Sequence, residues 1–275
     1  MKTMPAQLSA ESRKVDEPKG PKIWGQGAGY PLQVAAHLYF IFSGLWLTAR
    51  LTARRLARLG PADADAERVG LHKGFVRYLK LLENWKIVTV EFRGFEGCRQ
   101  WRGSVVASNH PTILDAVALI SRIPGLDCVM NTRLLRDPVM GGAARLCNFV
   151  LNEAPLPMVR ACRERLEEGS NLLIFPEGTR TRTPPLGPFH HGYALAAIRT
   201  GAPIRTVFIE CDSPYFGRTF SFFRPAPCPM SFRLTAGKVF KPRGSDDPRK
   251  VSSEIEEYFR AELTSAAGGI GLRQR

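Results

Sequence analysis

The spacing of apolar and polar positions changes several times along the chain, and each change marks an element. Pro31–Ala49 carries no charged side chain and is followed at once by Arg50, Arg54, Arg55 and Arg58. Its length reaches the range of a membrane span, but Gln33, His37, Ser43 and Thr48 make it only weakly hydrophobic. A span, a helix lying in the membrane interface and a buried core helix all fit this pattern. Trp46 beside the arginines favours membrane contact and leaves span against surface open. The stretch begins too late for a cleaved signal peptide, and no small-residue cleavage site follows it. From Ala64 to Trp85 the apolar positions Val69, Phe75, Val76, Leu79, Leu82 and Trp85 fall at broadly helical spacing. The two stretches together predict an N-terminal pair of membrane-contacting helices over 30–86.

Beyond Trp85 the period changes to that of strands. Ile87–Gly94 alternates, and Val105–Ser108 is a short unbroken apolar run. Further strand candidates are Leu126–Met130, Phe149–Leu151, Leu172–Phe175, Pro203–Cys211 and Met230–Thr235. Helices are expected between them at Asp115–Arg122, Thr132–Leu146, Pro157–Glu168 and Tyr193–Thr200. Such alternation predicts an α/β fold, a mixed and largely parallel sheet flanked by helices. Near the end, Ser253 and Glu256 have the spacing of a capping box, in an amphipathic helix carrying Val251, Ile255, Tyr258, Phe259 and Leu263. Residues 1–29 mix charge, Pro and Gly without periodicity and read as a disordered arm. The globular domain is expected over 87–265, with a frayed Gly-rich tail over 266–275.

Charge changes this picture more than overall composition does. The chain has 39 Lys and Arg against 25 Asp and Glu, a net charge of +14. Such an excess suggests a polyanionic partner, either nucleic acid or an anionic membrane surface. Because the basic residues cluster beside an apolar stretch and not among exposed stacking aromatics, membrane lipids are the expected partner and nucleic acid is not. Cys98, Cys128, Cys147, Cys162, Cys211 and Cys228 are scattered, with no C-x-x-C pair. They read as reduced thiols of a cytosolic domain, and no metal is expected.

Candidate chemistry begins where the Val105–Ser108 run meets Asn109, His110 and Pro111, with Asp115 five residues after the histidine. In one continuous helix, side chains five apart diverge by about 140°. With His110 in the turn before the helix and Pro111 or Thr112 opening it, the ring can fold back over the first turn towards Asp115. A carboxylate-oriented imidazole at a strand end is the arrangement that general-base catalysis needs. A second apolar run, Leu172–Phe175, ends in Pro176-Glu177-Gly178-Thr179-Arg180, which places a carboxylate, a hydroxyl and a guanidinium within four residues. An arginine beside flexible backbone N–H groups suits an anionic substrate group. Two strand ends of one parallel sheet face the same edge, where α/β proteins place their sites.

The pair of motifs, Asn109-His110-Pro111-Thr112-Ile113-Leu114-Asp115 and Phe175-Pro176-Glu177-Gly178-Thr179-Arg180, resembles the glycerolipid acyltransferase family, whose best-known members acylate lysophosphatidic acid. Gly201-Ala202-Pro203-Ile204 is similar to that family's fourth block, and the resemblance runs from about Val88 to Lys238. It implies a glycerol-3-phosphate acyltransferase-like fold, at the cytoplasmic face of a membrane, with the catalytic domain in the cytosol. It also implies that a lipid hydroxyl, most simply that of 1-acylglycerol-3-phosphate, attacks an acyl thioester on CoA or acyl carrier protein, with no cofactor. By the same resemblance His110 is the general base and Asp115 orients it, while Asn109, Glu177, Gly178, Thr179 and Arg180 bind substrate.

The residues agree with that chemistry in kind. A thioester acceptor reaction needs no Ser or Cys nucleophile, and the chain has no G-x-S-x-G elbow, which argues against a covalent serine hydrolase. Two departures bear on the acceptor. The family's second block ends in an arginine that helps bind the acceptor phosphate, and here Cys147–Glu153 contains none. Its downstream Phe-Lys-x-Gly is replaced by Phe189-His190-His191-Gly192. The same chemistry on a lipid without a phosphomonoester, or a catalytically silent lipid-binding relative, is therefore carried as an alternative. His72 is expected to face solvent and His37 to be packed or interfacial. The aromatic run Tyr215–Phe223 is read either as a lipid contact or as core.

Overall fold

The structure, a computed structural model, describes residues 29–213, 217 and 226–271. The arm expected over residues 1–28 and nearly all of the aromatic run at Tyr215–Phe223 lie outside this set. Seven strands form one sheet: β1 (Val88–Arg93), β2 (Val105–Ser108), β3 (Leu126–Asn131), β4 (Val150–Asn152), β5 (Asn171–Ile174), β6 (Ile204–Cys211) and β7 (Met230–Phe240). Their order across the sheet is β1-β7-β6-β2-β5-β3-β4. Every neighbouring pair is parallel except β6 and β7, so the sheet is mixed and largely parallel, as the alternation implied.

Helices cover both faces, and the short central strands are buried at every position, so the runs Val105–Ala107 and Leu172–Ile174 are apolar without alternation. On β2, Val106 enters one core together with Val117 and Leu119 of α3 (Asp115–Arg122) and Tyr78, Leu79 and Leu82 of α2 (Ala64–Asn84). Val105 and Ala107 point the other way. They pack among α5 (Pro155–Glu167), α6 (Gly192–Thr200) and α7 (Pro248–Gly271), where Cys162, Tyr193, Ile255 and Phe259 are buried. On β5, Leu173 faces the first core and Leu172 and Ile174 the second, the same period of two.

The first helix, α1 (Tyr30–Leu56), runs through the apolar stretch and past Arg50, Arg54 and Arg55. Among the described residues it is the one helix long and apolar enough to cross a membrane. It lies against the domain along a stripe of residues three or four apart. Gln33 exchanges hydrogen bonds with the backbone of Ala226 (2.8 and 3.1 Å), Ala36 is in the core, and Phe40 packs on Tyr78 at 5.3 Å. Further along, a Cβ on Gly44 would overlap Val139, and the Thr48 hydroxyl donates to the Pro138 carbonyl at 2.7 Å. Arg50 then pairs with Glu67 of α2. Both helices of the expected N-terminal pair are present, and of the two only α1 is long and apolar enough to cross a membrane. α2 packs mainly on α3, and Tyr78, Leu79 and Leu82 on its apolar side enter the core.

Other expectations need correction. Thr132–Leu146 is not one helix: a 3₁₀ turn at Thr132–Arg136 stops at Asp137-Pro138, and α4 (Gly141–Leu146) follows. Pro138 disfavours helical backbone before it, and the Asp137 carboxylate caps the new start through Val139 N and Met140 N (2.8 and 2.9 Å). Ser253 and Glu256 are no capping box, since α7 begins at Pro248 with Asp247 accepting from Arg249 N. The same helix continues to Gly271, through the region expected to fray. His72 is half-buried, and its Nδ1 lies 2.7 Å from the Ile120 carbonyl, so it joins α2 to α3 and does not face solvent.

The sequence pattern did not flag Asp127. This side chain on β3 is fully buried, 3.4 Å from Arg68 of α2 and 3.5 Å from Arg165 of α5. Burial pushes its carboxyl up to about 6, against the pull of the two arginines. Between the ordinary carboxylate value and about 6 the folded chain therefore holds a proton that the unfolded chain releases, and stability falls as pH rises through that window. Denaturant unfolding of wild type and Asp127→Asn across this range should show the wild type losing stability relative to the variant as pH rises. A constant difference would remove the assignment.

Candidate active site

β2 and β5 are adjacent and parallel, with Ala107 opposite Ile174, so the two motif turns leave the sheet side by side at its carboxyl edge. The backbone ties them together. His110 N donates to Glu177 Oε1 at 3.0 Å, and Thr181 N donates to the His110 carbonyl at 2.7 Å. Both peptide groups of His110 are thus held by the second turn.

Its ring is held as firmly. Nδ1 lies 2.6 Å from Asp115 Oδ2, the folding-back that a turn before α3 allows and a continuous helix forbids. Thr112, missed at the sequence level, fixes the carboxylate: its N–H donates to Oδ2 at 2.9 Å and its hydroxyl to Oδ1 at 2.6 Å. A threonine just before a helix with an acid three residues on was the available signal. The imidazole also stacks on Phe175 at the end of β5, with ring centres 3.9 Å apart and planes 13° from parallel. Asp115 is completely buried, which pushes its carboxyl above the ordinary value, while the bonds from His110 and Thr112 pull it back towards the ionised form. With Nδ1 facing a carboxylate, the tautomer consistent with this geometry carries its proton there and leaves Nε2 as the acceptor.

His110 opens onto a cavity of about 740 Å³. Gly178, Thr179 and Arg180 lie in its wall with His190 and His191, so the third motif brings three of its expected substrate-binding residues to the base. Arg180 Nη1 donates to the Gly217 carbonyl at 2.8 Å. Gly178 has φ +64°, and a Cβ there would press to 3.3 Å from His190, so the turn requires glycine.

Two expected substrate contacts are corrected. The Asn109 carboxamide is buried and exchanges two 2.8 Å bonds with the Ile209 backbone, which fastens the β2 turn to β6. Glu177 is also buried. Oε1 accepts from His110 N and the Thr181 hydroxyl (3.0 and 2.8 Å), and Oε2 from Gly187 N (2.9 Å). Neither side chain is in the cavity wall, because every polar atom is already committed to the protein.

The cavity shares Phe40, Leu71, Phe75, Met140 and Ala143 with a second, more apolar cleft of about 810 Å³ between α1, α2 and α4. An apolar path thus leads from His110 to α1, whose outer stripe exposes Leu38, Phe42, Leu45 and Trp46. Phe42 and Trp46 are 65% and 61% exposed.

Comparison with known proteins gives a consistent picture. Residues 89–210 match the family model described as Acyltransferase. A chloroplastic 1-acyl-sn-glycerol-3-phosphate acyltransferase of Brassica napus is 31% identical over 105 residues, 36% of this chain and 30% of that one. The human 1-acyl-sn-glycerol-3-phosphate acyltransferase beta is 25% identical over 191 residues, 66% of this chain and 67% of that one. The chain thus spans under a third of the Brassica relative's length, and likewise 30% of an Arabidopsis thaliana relative's. The crystal structure of the 1-acyl-sn-glycerophosphate acyltransferase PlsC of Thermotoga maritima aligns with a TM-score of 0.65 at 20% identity, covering 90% of this chain and 95% of that one, which shows a shared fold.

Proposed function

We propose that this chain, whose residues 89–210 match the Acyltransferase family model, is a PlsC-like acyltransferase that moves a fatty acyl group from a thioester to the free hydroxyl of 1-acylglycerol-3-phosphate. The observation that carries the reading is the His110–Asp115 contact of 2.6 Å, with the second imidazole nitrogen left for the cavity. His110 Nε2 removes the proton of the lipid hydroxyl as its oxygen attacks the thioester carbonyl. Asp115 stabilises the imidazolium so formed. The carbon–sulfur bond then breaks, and the thiolate leaves with the proton that His110 returns. A positioned imidazole contributes roughly 10²–10⁴-fold to such a step. The donor is acyl-CoA or acyl carrier protein, and the cavity with its apolar extension holds the fatty chains. Asn109 and Glu177 serve as positioning residues, and Gly178, Thr179 and Arg180 face the acceptor. Incubating purified protein with acyl-CoA and 1-acylglycerol-3-phosphate should yield the diacyl product. No product from either donor class would sink the reading.

α1 is read as a helix lying in the membrane interface, with the catalytic domain on the cytosolic side. Its inner stripe is fastened to the domain from Gln33 to Arg50, so crossing a bilayer would mean breaking those contacts, while the outer stripe is free to enter lipid. Phe42→Ser with Trp46→Ser should weaken binding to anionic liposomes by roughly tenfold or more, as two large apolar side chains stop being buried. Unchanged co-sedimentation would contradict this orientation.

A further inference from the structure

The wall of the His110 cavity has an uneven charge. Two arginines, Arg133 and Arg180, and three histidines line it, and no Asp or Glu among the described residues does. Arg180 is half-buried and Arg133 exposed, and cations that face a cavity without carboxylates form a seat for an anion. Arg180 comes from the motif turn beside the base. Arg133 comes from the neighbouring strand, just past the end of β3.

The strand register places it there. β3 and β4 are parallel, with Asn131 opposite Asn152, and both asparagines line the cavity. Neither carries charge, and β4 ends without a basic residue. Asn131 Oδ1 accepts from Arg133 N at 2.9 Å, which closes the turn and fixes where the Arg133 side chain starts. The carboxylate on the same turn, Asp137, is directed at Val139 N and Met140 N. The neighbouring cations are used or placed elsewhere: Arg145 donates to the Leu135 carbonyl, and Arg136 is not in the wall. Arg133 is therefore the cation of this turn that faces the cavity.

We propose that Arg133 binds the phosphate of the acceptor lipid and so selects a phosphomonoester over an uncharged head group. This rests on the acyl-transfer reading above. A guanidinium suits the task because it offers several N–H donors in a fixed fork to a phosphate. The phosphates of CoA carry the same chemistry, and the assignment is to the acceptor, because the seat lies in the cavity that holds the base.

The test is equilibrium binding of 1-acylglycerol-3-phosphate and of uncharged monoacylglycerol to the full chain in detergent micelles, comparing wild type, Arg133→Gln and Arg133→Lys. Donor KM is measured in parallel. Arg133→Gln should weaken binding of the phosphomonoester roughly ten- to a hundredfold and leave the neutral lipid unchanged, with Arg133→Lys in between. Equal loss for both lipids, no loss for either, or a change confined to the donor KM would overturn the proposal. Because binding is read without turnover, selective binding with no product would count against acyl transfer and not against Arg133.

Discussion

His110→Ala is expected to lower acyl transfer by roughly 10²–10⁴-fold, the span a positioned base contributes, with little change in thermal stability. The fold should tolerate it, because the ring is partly exposed and Thr112 continues to supply two hydrogen bonds to Asp115. Substitutions at Asp115 sharpen the expectation. The Thr112 N–H requires an oxygen at the Oδ2 position, so in Asp115→Asn the carboxamide oxygen should stay facing His110 and keep the tautomer. Its amino group would meet the Thr112 hydroxyl, which can turn to accept. That variant loses only the charge that stabilises the imidazolium, whereas Asp115→Ala also loses the orientation. Activity should therefore fall in the order wild type, Asp115→Asn, Asp115→Ala, the last near His110→Ala. Rates from initial-velocity assays on the folded variants check this order, and equal rates for the two Asp115 variants would remove the orienting role.

Glu177→Gln is expected to be disruptive although it changes one atom. Both carboxylate oxygens face backbone N–H donors, Oε1 that of His110 and Oε2 that of Gly187. Whichever way a glutamine amide turns, its NH₂ meets one of those donors and leaves it buried without an acceptor, at a cost of about 1–3 kcal/mol. With the amide toward His110, the bond holding the base to the second turn is lost. The variant should melt several degrees lower, lose most of its activity, and show a kcat loss larger than its change in acceptor KM. A residue that merely contacted the acceptor would raise KM and leave the melting temperature alone, and that result would return Glu177 to the substrate.

The different legibility of these two residues has a physical basis. The parallel sheet could be read from unbroken runs such as Val105–Ala107 and Leu172–Ile174, because burial on both faces writes the same signal at every position. The His110–Asp115 pairing was also legible, since Pro111 and Thr112 mark a helix start between them. Which face a polar side chain of a turn presents was not. Asn109 and Glu177 sit in the motifs as substrate ligands would, but their partners Ile209 and Gly187 come from other parts of the chain, and only tertiary pairing reveals them. Helix α2 shows the same limit. Its apolar spacing marked a buried side without saying whether lipid or α3 covers it. Arg133 was lost inside a helix expected over Thr132–Leu146, and it stands out as a cavity cation once Asp137-Pro138 is seen to end the turn.

The most direct measurement is product analysis by lipid mass spectrometry with wild type and His110→Ala, each incubated in liposomes with acyl-CoA and 1-acylglycerol-3-phosphate. Diacylglycerol phosphate that accumulates with wild type and is absent, or reduced at least about a hundredfold, with His110→Ala is the predicted result. Equal product from both proteins would contradict a base at His110, and no product from wild type, with acyl-CoA or with acyl carrier protein, would contradict acyl transfer itself.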